Sequence, residues 1–128
     1  DWAGVSASVE MSAVADVASV WGERSGCIFA FDPPYGRSSW KSDDGLELLL
    51  EAMSAAHQID SQGAVCTMLP AGPETLSQES EQNYQVMGRP WGEVEALIRE
   101  HGWMPVLKSP IRVHRSLARM VVVCHPAD

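Results

Sequence analysis

Apolar and polar positions follow two rhythms along these 128 residues. In SVEMSAVADVASV, residues 8–20, Val9, Ala13, Val17 and Val20 recur at the spacing of one helical stripe. Ser8 stands where a cap is favoured, and Trp21-Gly22 closes the segment. GCIFAF, residues 26–31, has no polar alternation, which predicts a short strand covered on both faces. The polar run GRSSWKSDD follows a few residues later, and Asp43 or Asp44 can cap a helix reaching to about Ile59. Leu46, Leu49, Leu50, Met53 and His57 share one face of that helix. Gly63 breaks it, and AVCTMLP, residues 64–70, reads as a second buried strand. Residues 71–90 are rich in Gly, Pro, Ser, Gln and Glu and predict a long loop or insertion.

Pro90-Trp91 opens a third helix, WGEVEALIREHG, closed at Gly102. Residues 103–113 predict a strand that Pro105 and Pro110 confine to an edge or interrupt. RMVVVCH, residues 119–125, is the last strand. HRSLA between them is short enough for a hairpin, so these two strands should be antiparallel neighbours. The order helix, strand, helix, strand, helix, strand, strand predicts one α/β domain with helices on the faces of a mostly parallel sheet. The terminal antiparallel hairpin is a permitted addition to such a sheet.

Charge and cysteine usage narrow the class. The formal net charge is -8, from 17 acids and nine Lys+Arg, and only Lys41 and Lys108 are lysines. Such a total argues against indiscriminate nucleic-acid binding but leaves room for a local basic strip. Many acids with few lysines also suit a high-salt cell, where screening weakens acid–acid repulsion. Cys27, Cys66 and Cys124 lie in apolar runs with no C-x-x-C spacing. They predict buried thiols, without disulfides or zinc, in a reduced, cytoplasmic setting. No apolar run is long enough to span a bilayer, and no signal-peptide layout opens the chain. The first residue is Asp1 rather than Met, which suggests a processed or truncated chain.

The candidate chemistry lies in FDPPYGRSSW, residues 31–40. Asp32-Pro33-Pro34-Tyr35 follows a predicted strand, at the end where open α/β sheets bind ligands. The prolines lock their own dihedrals and hold the residues before them extended. The Asp32 carboxylate and a proline carbonyl then offer two acceptors beside the flat Tyr35 ring, and Gly36 lets the chain turn away. Two acceptors and a ring plane suit the exocyclic amine of a nucleobase. Accepting both hydrogens localises the nitrogen lone pair and aims it at an electrophile. A rigid loop with a packed tyrosine is the plainer reading of the same residues.

DPPYG after CIFAF resembles motif IV of the class I S-adenosylmethionine-dependent amino-methyltransferases. VHRSLARMVVV, residues 113–123, is similar to the C-terminal HRSLTR segment of the THUMP-associated tRNA guanine-N2 methyltransferases, with Ala118 in place of the usual Thr. The resemblance covers roughly residues 20–125. It implies a Rossmann-like methyltransferase sheet, S-adenosylmethionine as cofactor and tRNA as partner. It implies that Asp32, Pro33, Pro34 and Tyr35 hold the guanine amine, with Asp32 and Pro33 also bordering the cofactor. Gly36, Arg37, His114, Arg115 and Ser116 would contact substrate, and Arg112 and Arg119 are further phosphate candidates or solvated strand charges. The family's Gly-rich cofactor loop has no counterpart here, since Gly4, Gly22 and Gly26 are isolated. The THUMP domain is absent as well. The expectation is therefore a C-terminal, target-base-binding portion, residues 1–128, needing an N-terminal methyltransferase and THUMP portion or a partner chain. A DNA or other RNA amino-methyltransferase, and a noncatalytic remnant or interaction subunit, are the alternatives.

Overall fold

The computed structural model describes residues 16–32, 43–72, 84–114 and 117–127. Three helices and six strands appear in the order α1 (Val17–Trp21), β1 (Ile28–Phe31), α2 (Asp43–Ile59), β2 (Ala64–Ala71), β3 (Gln85–Val86), β4 (Arg89–Pro90), α3 (Trp91–Glu100), β5 (Trp103–His114) and β6 (Leu117–Pro126). The first helix ends at Gly22, as its sequence predicts, but residues 1–15 lie outside the described part. The side chains at 43 and 44, proposed as caps of α2, lie outside it too.

The sheet corrects the expected topology. Of five strand pairings only β1–β2 is parallel; β2–β3, β2–β6, β3–β4 and β5–β6 are antiparallel. The mostly parallel, Rossmann-like sheet is therefore not what forms. The physical reason is the place that β6 takes. It returns from β5 by a hairpin and inserts between β2 and β5, with Val65 opposite Cys124 and Ala71 opposite Ala118. Every neighbour that β6 makes is then antiparallel. The cover expected of both apolar runs holds for β2, which is buried or half-buried throughout, but not for β1, whose Ile28 and Ala30 are exposed; nor does an apolar run say which strand lies beside it.

On the other edge, β2 is shared. β1 pairs along Ala64–Thr67, and the β3–β4 hairpin takes over at Ala71. That hairpin lies inside the stretch expected to be loop. Its turn places Met87 at φ 55 and Gly88 at φ 76, the two positive values that a tight two-residue hairpin requires. Methionine at such a position carries no sequence signal for a turn. What it gains is burial: Met87 is fully enclosed in the core.

The core sits on one face of the sheet. Leu46, Leu49, Met53 and Ala56 of α2 and Trp91, Val94 and Ile98 of α3 pack on Val65, Leu69, Met120, Val122 and Cys124. Each fully buried aliphatic side chain is worth about 1.5–3 kcal/mol. β5 pairs only with β6 among the described residues and carries Pro105 and Pro110, so the edge position expected of it holds. Asp60, 7% exposed, ties the start of β1 to the end of α2. Its Oδ2 accepts from the Cys27 backbone N–H at 2.9 Å and its Oδ1 from that of Gln62 at 3.0 Å.

All three cysteines are free, and Cys124 is buried. Burial pushes its thiol up from 9.0 to about 12, with Cys66 and Glu95 adding to the effect. The folded chain thus keeps a proton that the unfolded chain releases above about pH 9. That contribution to stability is complete below pH 9 and is lost as pH rises towards 12. Urea unfolding from pH 7 to 11 should show wild type falling faster above pH 9 than Cys124→Ala. Parallel curves for the two proteins would contradict this.

Candidate functional site

β1 ends at Phe31, in register with Thr67 of β2, and Asp32 is the next residue. Side chains alternate along a strand. Phe29 and Phe31 pack against the core, so Asp32 emerges on the opposite face. Arg119 lies two strands away on β6, in register with Pro70 of β2 and Ile111 of β5. Its neighbours Ala118 and Met120 are fully buried in the core, so Arg119 also projects to the open face. The two side chains meet over β2, with Arg119 Nη1 donating to Asp32 Oδ2 at 2.6 Å. The arginine side chain is 22% exposed and the carboxylate 49%, so the pair is guarded on one side and open on the other.

This contact was not legible in the sequence. Arg119 reads there as a phosphate contact or a solvated strand charge; the fold brings it onto the candidate acid. Asp32 of the first motif and Arg119 of the second therefore meet at one point. An arginine on one carboxylate oxygen orients the group and leaves its other oxygen as an acceptor. Asp32 is thus suited to receive a neutral donor such as an amine.

The rest of the expected site is described only in part. Pro33, Pro34, Tyr35, Gly36, Arg37, Arg115 and Ser116 lie outside the described residues. The His114 backbone ends β5 opposite Leu117, so this residue lies at the hairpin's closing end. Arg112, opposite Ala118, is exposed. His101 caps the last turn of α3, with Nδ1 2.7 Å from the Leu97 carbonyl oxygen. His57 is exposed, its ring edge-on to Trp103. Neither histidine approaches Asp32. Among the described residues no group of three His, Cys, Asp or Glu side chains could hold a metal ion. Nor is any described helix long and apolar enough to cross a membrane.

Two hollows flank these elements. A polar cleft of about 760 Å³ lies between α1 and the end of α2, lined by Arg24, His57 and Asp60 among others. Neither member of the ion pair lines it. An apolar groove of about 460 Å³ runs beside β1, between Val17 and Trp21 on one wall and Ala52, Ala56 and Ile59 on the other. Ile28, 79% exposed, stands on that strand.

No protein-family model matches the chain, and no curated protein matches it. Its fold does match solved structures. One protein of Thermus thermophilus, provisionally assigned as a DNA modification methylase, matches in two crystal structures. The selenomethionine derivative aligns at a TM-score of 0.55 with 12% identity, over 90% of this chain and 50% of that one. The complex with S-adenosyl-L-methionine aligns at 0.55 with 11% identity, over 90% and 51%. At such identity the likeness is one of fold alone. The chain spans about half the length of the proteins it matches.

Proposed function

We propose that this chain is the target-base half of an S-adenosylmethionine-dependent amino-methyltransferase acting on nucleic acid. The finer reading is transfer to the N2 amine of a guanine in tRNA. One observation carries it: the Asp32–Arg119 pair joins the two motifs whose combination resembles the tRNA guanine-N2 enzymes. The fold likeness to half of a protein that has been crystallised with S-adenosyl-L-methionine supports the same reading.

The donor supplies an electrophilic methyl group. The groove beside β1 is largely apolar, and the glycines that precede Asp32 in the sequence, Gly4, Gly22 and Gly26, are isolated. The chain's own part concerns the acceptor. Asp32, oriented through Oδ2 by Arg119, presents its free oxygen to one amine hydrogen. The Pro33 carbonyl takes the second hydrogen, as the motif resemblance implies. Holding both turns the nitrogen lone pair out of the base plane, and orientation of that kind accounts for much of the rate gain in such transfers. A base inside a helix would have to be flipped out first.

Calorimetric titration with S-adenosylmethionine tests the division of labour, using the chain alone and mixed with a donor-binding segment. Binding is expected only in the mixture. Unmodified tRNA and unmodified duplex DNA are then offered to the competent mixture with labelled donor. N2-methylguanosine in the tRNA digest is the expected product. Label in DNA would favour the DNA enzyme, the reading nearest to the description of the Thermus protein. No binding with or without the segment would leave an interaction subunit.

A further inference from the structure

The sheet has two faces, and α2 and α3 both pack on the one that carries Phe29, Val65, Met120 and Val122. On the other face the register aligns Ala30, Cys66, Val123 and Leu107 in one row across β1, β2, β6 and β5. Met68, Val121 and Ser109 form the next row, and Arg119 stands beside Ile111 in the one beyond. Ile28 extends the same surface along β1. None of these side chains is buried. Ile28 is 79%, Leu107 54% and Ile111 47% exposed, and Cys66, Met68, Val121 and Val123 are half-buried.

A sheet face that stays in water carries polar side chains. Within these rows polarity is confined to Ser109 on the outer strand and to the Asp32–Arg119 pair at the sheet's end. A contiguous apolar surface with a polar rim marks a contact, and an apolar sheet face is closed by a second packed layer. The position of Asp32 narrows what that layer is. A cover on this face abuts Asp32, and an amine acceptor needs a methyl donor beside it. A second copy of the chain would bring a second acceptor instead. The Thermus protein has about as much chain outside the matched half as within it, enough for such a layer.

We propose that this open sheet face is the docking surface for the donor-binding half of the enzyme, whose helices cover the Ala30–Leu107 row and set the methyl donor beside Asp32. The proposal rests on the reading of Asp32 as the amine acceptor, since that reading makes a donor-binding partner necessary. Cys66, in the middle of the face, is a built-in reporter: its thiol is reachable in the chain alone and closed off in the complex. Cys124, buried on the opposite face, is the unreactive reference.

The test is pulse labelling with N-ethylmaleimide, read at each cysteine by peptide mass spectrometry. The chain is labelled alone and with the donor-binding segment, supplied as the polypeptide encoded directly ahead of residue 1. Cys66 should react in the chain alone at every chain concentration and be protected in the mixture, while Cys124 stays unlabelled in both. Calorimetry then compares the segment's affinity for wild type, Val123→Glu, Leu107→Glu and Ala96→Glu, the last at an exposed position of α3. Circular dichroism melts establish folding, and Leu107→Glu, at a position already exposed, serves if Val123→Glu unfolds the chain. Each glutamate on the open face should weaken association on the order of a hundredfold, the scale of burying a charge without a partner. Ala96→Glu should leave it near wild type. A segment that does not bind, or that binds with Cys66 still reactive, would overturn the proposal. So would protection that grows with the chain's own concentration, the mark of a second copy, or protection already complete in the dilute chain. Failure of the enzymatic reading is seen separately. Cys66 protected by the segment without methyl transfer to nucleic acid would sink that reading and leave the docking face. Methyl transfer by a mixture in which Cys66 still reacts would sink the docking face alone.

Discussion

Asp32→Ala is expected to lower methyl transfer on the order of 10²–10³-fold in any preparation that supports turnover, the scale seen when one preorganised polar contact to a reacting centre is removed. The loss should fall on kcat more than on KM if, as proposed, the carboxylate orients the amine rather than supplying most of the binding. Asp32→Asn keeps the shape but can turn its amide toward the amine, donor against donor, and should be nearly as damaging. Arg119→Lys keeps a charge near Asp32 but loses the planar fork, and should retain more activity than Arg119→Met. Stability should barely change in any of these, since a half-exposed ion pair contributes about 0–1 kcal/mol. Single-turnover assays with circular dichroism melts on the same samples separate the two effects. An Asp32→Ala protein within threefold of wild type would remove Asp32 from the chemistry and take the functional reading with it.

Trp103→Ala should have the largest effect on folding. Trp103 is fully buried at the first position of β5. Its Nε1 donates to the Met53 carbonyl of α2 at 2.9 Å, and its ring stands edge-on to Phe29 of β1 at 6.4 Å and to His57 at 6.0 Å. One side chain thus links the outer strand β5, the long helix and the candidate site's own strand. Truncating a buried tryptophan costs about 3–5 kcal/mol, a large share of the ~5–15 kcal/mol typical of a domain. The melting temperature should fall by roughly 10 °C or more. Trp103→Phe restores most of the volume without the donor and should cost less than half as much. Urea unfolding of the three proteins gives the comparison. A loss under about 1 kcal/mol for the alanine variant, the size of an ordinary point mutation, would mean that Trp103 does not hold these elements together.

Neither residue's importance has the same visibility in the sequence. Asp32 is conspicuous because two prolines, a tyrosine and a glycine follow it after an apolar run. Trp103 looks like any aromatic after a helix-closing glycine. Only the packing of β5 beside β6, with α2 beneath, places it at the centre.

The local elements were determined by the sequence itself. The stripe Leu46, Leu49, Met53 builds α2, Gly102 closes α3 with φ 95, and the apolar runs at 28–31 and 64–70 form β1 and β2. Each depends on a spacing or a backbone preference carried by neighbouring residues. The short link between residues 114 and 117 likewise joins β5 to β6 as a hairpin. Tertiary structure alone decided that β6 enters between β2 and β5, which made most pairings antiparallel, because strand partners compete over long range and apolar runs fit several neighbours equally. It alone moved Met87 into a tight turn, where burial outweighs an unfavourable φ. It alone brought Arg119 across β2 to Asp32, 87 residues away in the chain, a meeting that no local pattern encodes.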